Sequence, residues 1–293
     1  MSKQRIKQLI QDMITEDGLI DLAVNGVQIF RVTVPLPCIP AVYEPSVVAI
    51  VSGAKEAILD GVRYEYDSSR YLCCSLPMPV EAGTPTASMD SPLLGIRIFL
   101  NTKVMTGLAI EMEQFSRTSY GSRGGPLPQG FALASWDDSF TEALLRLLQL
   151  EAEDAAVLGE GRLREVYYTV LKGEAGDSVR RAFGVGNEVA RAIEYLSSHL
   201  GEPITIEDMA AQVGMSRAVF HRKFKQVTTM SPIQFVKSMR LNSAAMKMAA
   251  GLNVNEAAME VGYASSSQFS REFKRMYGLS PKQWVQSQQP ITE

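Results

Sequence analysis

The chain has 293 residues, of which 46% are hydrophobic and 21% charged, with a formal net charge of -3. That composition excludes a disordered or collagen-like chain, and the length is enough for two cored domains. Three cysteines, an odd number, exclude a disulfide-stapled scaffold. The opening MSKQRIKQLIQDMITEDG has no apolar core of a signal sequence, and no window reaches 18 uncharged apolar residues, so a soluble, cytoplasmic protein with no membrane partner is expected.

Residues 3–14 read as a helix with Ile6, Leu9, Ile10 and Met13 on one stripe. From Leu22 to about Leu133 the runs VQIFRVTV, SVVAIVSG, KEAIL, VRYEYD, YLCCSL and LLGIRIFL alternate with Pro, Gly and Asn. Short strands with frequent turn signals indicate a β-sandwich or small barrel, and a β-barrel is expected. Ten prolines fall between Pro35 and Pro128, outside those runs. The segment PLPCIPAVYEP, Pro35 to Pro45, is expected to cross the mouth of the sheet as an extended segment. Cys73 and Cys74 are adjacent on a strand and so point to opposite faces. They are either packed apolar residues or a redox or electrophile sensor. Arg63, Tyr64, Tyr66 and Arg97 are aromatic and Arg residues alternating on strands, and are either the lining of a ligand pocket or the wet face of a sheet.

Between Trp136 and Leu171, Phe140, Leu144, Leu147, Leu148 and Glu151, then Leu163, Val166, Tyr167 and Val170, mark two helices separated by Gly159 and Gly161. They suit a dimer interface or a cap on the barrel. The stretch GEAGDSVRRAFGVG, Gly173 to Gly186, carries four glycines and reads as the junction between domains, partly helical.

The C-terminal third contains one unit twice. IEDMAAQVGMSRAVFHRKFKQVTTMSPIQF, from Ile206, and VNEAAMEVGYASSSQFSREFKRMYGLSPKQW, from Val254, share Val-Gly, Phe-Lys and Ser-Pro at offsets of 48, 49 and 49. Each reads as a helix, a Gly that permits positive φ, a capping Ser (Ser216; Ser265 or Ser266) and a second helix with aromatic anchors four apart (Phe220 and Phe224; Phe269 and Phe273). A helix-turn-helix places the free face of its second helix in the DNA major groove. The base-reading candidates are Arg217, Ala218, His221 and Arg222, then Ser266, Ser267, Ser270 and Arg271. Arg217, Lys223, Lys225, Lys274 and Arg275 are candidates for phosphate. Between the units, Pro232 to about Ala250 reads as a connecting helix capped by Ser231. Residues 188–288 carry 12 Lys and Arg against 8 Asp and Glu, while residues 1–187 carry 17 against 23, so the basic half is the nucleic-acid half.

Residues 188 to 288 resemble the DNA-binding domain of the AraC/XylS family of bacterial transcription regulators, most closely in VGYASSSQFSREFKRMYGLSPKQW. The resemblance implies two helix-turn-helix units joined by a long helix, with Ala218, His221 and Arg222, and Ser266, Ser267 and Arg271, on the recognition helices. Three positions depart from the family pattern: Thr229 replaces a helix-ending Gly, Ala218 is small, and an Arg is missing beyond Trp284. The N-terminal half is similar to the family's cupin-like ligand-sensing domain, carried by YEYD, SRYL and VLKGEAG.

The fold expected is therefore α+β: a cupin-like β-barrel with dimerisation helices over residues 1–178, a linker over 179–187, and an all-α double helix-turn-helix over 188–288. The function expected is that of a homodimeric transcription regulator, an activator, responding to a small organic molecule or chemical stress. Its partners would be promoter DNA and RNA polymerase. The alternatives are a cupin-type enzyme tethered to a DNA-binding domain and a ligand-independent architectural DNA binder. The histidines are His199 and His221, both in the C-terminal half, so no metal site, cofactor or catalytic constellation is expected in the barrel.

Overall fold

A computed structural model describes residues 2–115, 129–184 and 187–288. Pro126, Pro128 and Gly186 of the expected proline-rich region and junction lie outside the described residues. Helix α1 (Ser2–Met13) buries Ile6 and Ile10. Ile14 rather than Met13 completes its stripe, since Met13 is 40% exposed and Ile14 2%.

Among the described residues ten strands follow: β1 (Gly18–Asp21), β2 (Val27–Val32), β3 (Leu36–Tyr43), β4 (Ser46–Ser52), β5 (Ala54–Leu59), β6 (Val62–Asp67), β7 (Arg70–Cys74), β8 (Met78–Thr84), β9 (Leu93–Phe99) and β10 (Phe131–Ser135). They form two sheets, ordered β1-β2-β9-β4-β7-β10 and β3-β8-β5-β6, and every recorded strand pair is antiparallel. The proline-rich segment is β3 itself, not a segment crossing the mouth. Pro37 and Pro40 are accommodated because β3 is an edge strand with an irregular register between Leu36 and Ile39. The β5–β6 hairpin turns on Asp60-Gly61, with φ of 49° and 78°, the positive pair a two-residue hairpin prefers.

Helices α2 (Thr102–Phe115), α3 (Asp138–Leu148), α4 (Ala152–Lys172) and α5 (Gly176–Phe183) cover the larger sheet. One core joins them and α1 to its Val27, Ile29, Val47, Ala49, Ile96 and Ile98 face. The other face of that sheet packs on the smaller sheet through Phe30, Val48, Ile50, Ala57, Leu59 and Val80. Two expectations are corrected here. Gly159 and Gly161 lie inside α4, and the break between helices falls at Gln149 to Glu151. Gly159 is used for close approach, since a Cβ there would stand 3.1 Å from Val24. Val179, Ala182 and Phe183 of α5 are buried in the N-terminal core, so residues 179–183 are not linker; burial of an amphipathic turn outweighs the flanking glycines.

The C-terminal helices are α6 (Glu188–Ser198), α7 (Ile206–Gln212), α8 (Arg217–Thr228), α9 (Pro232–Ala249), α10 (Val254–Glu260), α11 (Ser266–Tyr277) and α12 (Pro281–Gln288). Their boundaries are written in their caps. Thr205 and Asp208 form a reciprocal capping box at α7, and Ser231 and Gln234 form another at α9 with Pro232 in the first turn. Ser265 caps α11, whereas Ser216 makes no side-chain cap at α8. Both turns use a positive-φ glycine, Gly214 at 68° and Gly262 at 85°.

The repeat diverges at the end of the second helix. Gly278 closes α11 at φ 78°, and Thr229 closes α8 at φ 66°. A β-branched residue is strained there. Thr229→Gly is expected to stabilise the protein by about 0.5–1 kcal/mol, after allowing for the extra freedom of Gly in the unfolded chain. A urea midpoint that falls instead would show that the Thr229 hydroxyl, 2.6 Å from the Thr228 carbonyl, outweighs the strain.

Candidate nucleic-acid interface

Each recognition helix is anchored by the same aromatic ladder. Phe220 and Phe224 are fully buried with ring centroids 5.3 Å apart, and Phe269 and Phe273 are buried 5.5 Å apart. The next helix supplies a third ring in each case: Phe235 stands 5.2 Å from Phe224, and Trp284 stands 5.9 Å from Phe273. With the rings four residues apart on one side, the intervening residues must face outward.

That is where the sequence-derived candidates lie. Arg217, Ala218, His221 and Arg222 are exposed in the first half of α8, and Ser266, Ser267 and Arg271 are exposed in the first half of α11, with Ser270 half-buried. Lys225, Lys274 and Arg275 are exposed further along. The basic residues differ in how free they are. Arg217 Nη1 lies 2.6 Å from Glu207 Oε1, and Lys223 Nζ lies 3.7 Å from Glu188 Oε2. His221, Arg222, Lys225, Arg271, Lys274 and Arg275 make no ion pair among the described residues. Lys223 is the least available phosphate ligand, because its half-buried pair with Glu188 would have to open. Internal braces hold the second unit: Glu272 accepts from Tyr263 at 2.9 Å and pairs with Lys237 at 3.5 Å.

The other ends of these helices meet the N-terminal half. Asn242, 2% exposed in the middle of α9, donates through Nδ2 to the carbonyls of Ala41 and Val80, both at 2.8 Å. Its Oδ1 accepts from the Tyr277 hydroxyl at the end of α11. Gly130 N–H donates to the Val227 carbonyl of α8 at 3.1 Å. One buried amide thus ties the connecting helix, the second recognition helix and the β3–β8 pair together. Sequence reasoning missed Asn242, although a lone amide within RLNSAAMKMA is the kind of buried polar group that needs partners.

Of the four N-terminal candidates, Tyr64, Tyr66 and Arg97 lie around Tyr43, and Arg63 lies apart from them. Tyr66 is buried between the sheets with its hydroxyl 3.3 Å from that of Tyr43, and Tyr64 packs edge-on against Phe131 at 5.0 Å. Arg97 is half-buried, donates to Gln28 at 2.9 Å and lies over the Phe99 ring at 4.7 Å. Arg63 is on the opposite side of β6, exposed and paired with Glu56, because alternation along a strand sends Arg63 and Tyr64 to opposite faces. The sensor reading of Cys73 and Cys74 is also corrected. They do point to opposite faces, Cys73 into the helix-covered core and Cys74 between the sheets. Both are at most 1% exposed, and burial pushes the Cys73 thiol up to about 12 and the Cys74 thiol well above its ordinary range. Such thiols lack the exposed thiolate that reacts. In the native protein a disulfide reagent is expected to titrate half-exposed Cys38 first, with the other two reacting on unfolding. Three equal rates would contradict this.

Residues 23–178 match the family model described as the AraC-type transcriptional regulator N-terminus, which is more than half of the chain. The chain belongs to the AraC-type transcriptional regulators. Residues 209–287 match a helix-turn-helix domain model, over the two units that the repeat marks. This AraC-type chain is 32% identical over 100 residues to the HTH-type transcriptional regulator AlkR of Acinetobacter baylyi, covering 34% of this chain and 33% of AlkR. It is 29% identical over 93 residues to the regulatory protein SoxS of Salmonella typhimurium, 31% of this chain and 87% of SoxS. The chain thus spans about a third of AlkR by sequence. A ToxT structure from Vibrio cholerae matches 88% of this chain and 97% of its own at a TM-score of 0.55 and 15% identity. At that identity the likeness establishes the fold: a β-sheet domain followed by an all-helical pair of helix-turn-helix units. Among the described residues no helix is long and apolar enough to cross a membrane, and no group of three or more His, Cys, Asp or Glu could hold a metal ion.

Proposed function

We propose that this regulator binds promoter DNA in a sequence-specific way, with α8 and α11 entering successive major-groove segments and the N-terminal domain responding to a small organic effector. One observation carries the reading: two copies of the same aromatic-anchored helix expose equivalent residues, Arg222 and Arg271 at the offset of 49, from opposite ends of one rigid connecting helix. Arg222, His221 and Arg271 read base edges, with Ser266, Ser267 and Ser270 as shorter hydrogen-bonding partners. Lys225, Lys274 and Arg275 hold phosphates and supply the salt-dependent part of the affinity.

Two helices fixed on one side of a duplex require a site with two boxes about one helical turn, ~34 Å, apart, and a modest DNA bend if they stand closer. Selection of duplexes from a random pool, followed by footprinting, tests this. Recovered sites with two boxes at that spacing support the reading, and a single protected turn on straight DNA contradicts it.

The ToxT structures include one bound to an unsaturated fatty acid, which makes a small organic effector a reasonable reading for this chain as well. Effector binding shifts the population between domain arrangements, and such a shift reaches α11 through the Asn242 tie and α8 through the Gly130–Val227 bond. Dimerisation uses the outer side of α4, where Val157 is 82% exposed and Leu158 46%. Activation then follows from recruiting RNA polymerase beside the bound site, and no catalytic step is part of the mechanism.

A further inference from the structure

The smaller sheet does not simply abut the DNA-binding helices. A cavity of about 300 Å³ lies between its outer face and the α8–α9 turn, α9 and α11, at the small end of the range that organic ligands occupy. Ile58, Pro79, Met230 and Met276 are among its apolar walls, while Glu81 of β8 and Asp60 of the β5–β6 turn contribute carboxylates. No Lys, Arg or His lines it.

Two features make this more than an acidic surface. Glu81 is half-buried, and its carboxylate makes no ion pair or hydrogen bond among the described residues. Burial holds its carboxyl above the ordinary carboxylate range. A desolvated carboxylate without a partner is costly, and a cation placed beside it recovers that cost. Independently, Ser238 of α9 lines the same cavity, is 5% exposed, and makes no hydrogen bond among the described residues. Its oxygen is not one of the buried unpartnered atoms, so the hydroxyl is open to the cavity that the residue lines and free to take a partner there. A second cavity of about 290 Å³, reaching Cys38, Tyr277 and Trp284, shares Glu81 and Met276 with the first, so Glu81 stands where the two meet.

We propose that the cavity between the smaller sheet and the recognition-helix side of α9 is a binding site for a small organic cation, an amine with a compact apolar body. Its charged nitrogen donates to Glu81 and Ser238, Asp60 closes the mouth with a second negative charge, and the methionines and aliphatic walls take the carbon skeleton. The occupant touches Asn242, which also lines the cavity and holds β3, β8 and Tyr277. Binding there is therefore coupled to the placement of α9 and α11 against β3 and β8. This deepens the effector reading above and rests on it for its biological role.

The test uses the full chain without DNA. Thermal melts are recorded with benzylamine, phenethylamine, cadaverine and agmatine, with benzyl alcohol, phenethyl alcohol and pentanediol as neutral counterparts. At saturation at least one amine is expected to raise the melting temperature by about 2 °C or more, and the neutral counterparts are not. Glu81→Gln should melt at or above the wild-type temperature, which establishes that it folds, and should lose the amine response. Ser238→Ala should weaken it about tenfold, and Glu65→Gln, on β6 of the same sheet, should keep it. Amines that act no better than the alcohols, or an undiminished response in Glu81→Gln, would overturn the proposal. Binding to a selected duplex, measured in parallel, separates the two readings. A protein that selects its DNA but ignores every amine loses this site alone, and one that binds amines through Glu81 but selects no DNA loses the regulator reading alone.

Discussion

Replacing Arg271 with Ala is expected to weaken the specific DNA complex by about 1–3 kcal/mol while leaving binding to random duplex nearly unchanged. Arg271 is exposed in the first half of α11 and has no competing ion pair among the described residues. Its neighbour Glu272 is turned back to Tyr263 and Lys237, so the guanidinium is presented outward from a braced helix. In the first unit the equivalent residue is Arg222. Arg217 there must leave Glu207 before it reaches DNA, a surface pair worth about 0–1 kcal/mol. Arg217→Ala is therefore expected to cost less than Arg271→Ala. Fluorescence anisotropy on a selected duplex and on scrambled DNA reads both effects. An equal loss on the two duplexes for Arg271→Ala would assign it to a phosphate.

Phe273→Ala is expected to cost about 3–5 kcal/mol of stability, enough to unfold the second helix-turn-helix at modest denaturant. Phe273 is fully buried and touches Phe269, Tyr277 and Trp284, with centroids at 5.5, 4.6 and 5.9 Å. Its core, with Leu241, Ala257, Ala258 and Val261, is a cluster separate from the one containing Phe224. The damage is therefore expected to be local. The chain has two tryptophans, Trp136 in the N-terminal half and Trp284 in this cluster, so each can report on its own half. In a Trp136→Phe background the urea transition of Trp284 should move to lower denaturant. In a Trp284→Phe background the Trp136 transition should move far less. Equal shifts would mean that the two halves unfold as one unit.

The DNA-binding half was legible because it repeats. Val-Gly, Phe-Lys and Ser-Pro at a constant offset fix the turn, the anchor and the cap, and each of those sequence signals is local. The six β runs were legible for a similar reason, since alternation is read within a few residues. The misses have specific physical causes. β3 was hidden by Pro37 and Pro40, which a central strand would refuse but an edge strand with an irregular register accepts. Gly159 resembles a helix break in the sequence, but it is there for the close approach of Val24, 3.1 Å from the position its Cβ would take. β1, β8, β10 and α2 carried too weak a pattern to separate from loops. The seam between the halves was beyond reach from sequence. Glu81, Ser238 and Asn242 are brought together from distant parts of the chain, and nothing local to any of them announces the others. Of the pocket candidates, Arg63 alone faces away: Tyr64 and Tyr66 share the other side of β6 with Tyr43 and Phe131, because alternation gives the face of a strand but not what stands in front of it.

The central claim, that the repeated helices read sequence, is tested most directly by anisotropy of the full chain on a duplex selected from a random pool and on its scrambled counterpart, across a salt series. The expected result is a preference of at least about a thousandfold that persists at physiological salt, with both affinities falling as salt rises. Equal, steeply salt-dependent binding to the two duplexes would contradict the account, leaving the basic face as a charge patch without sequence readout.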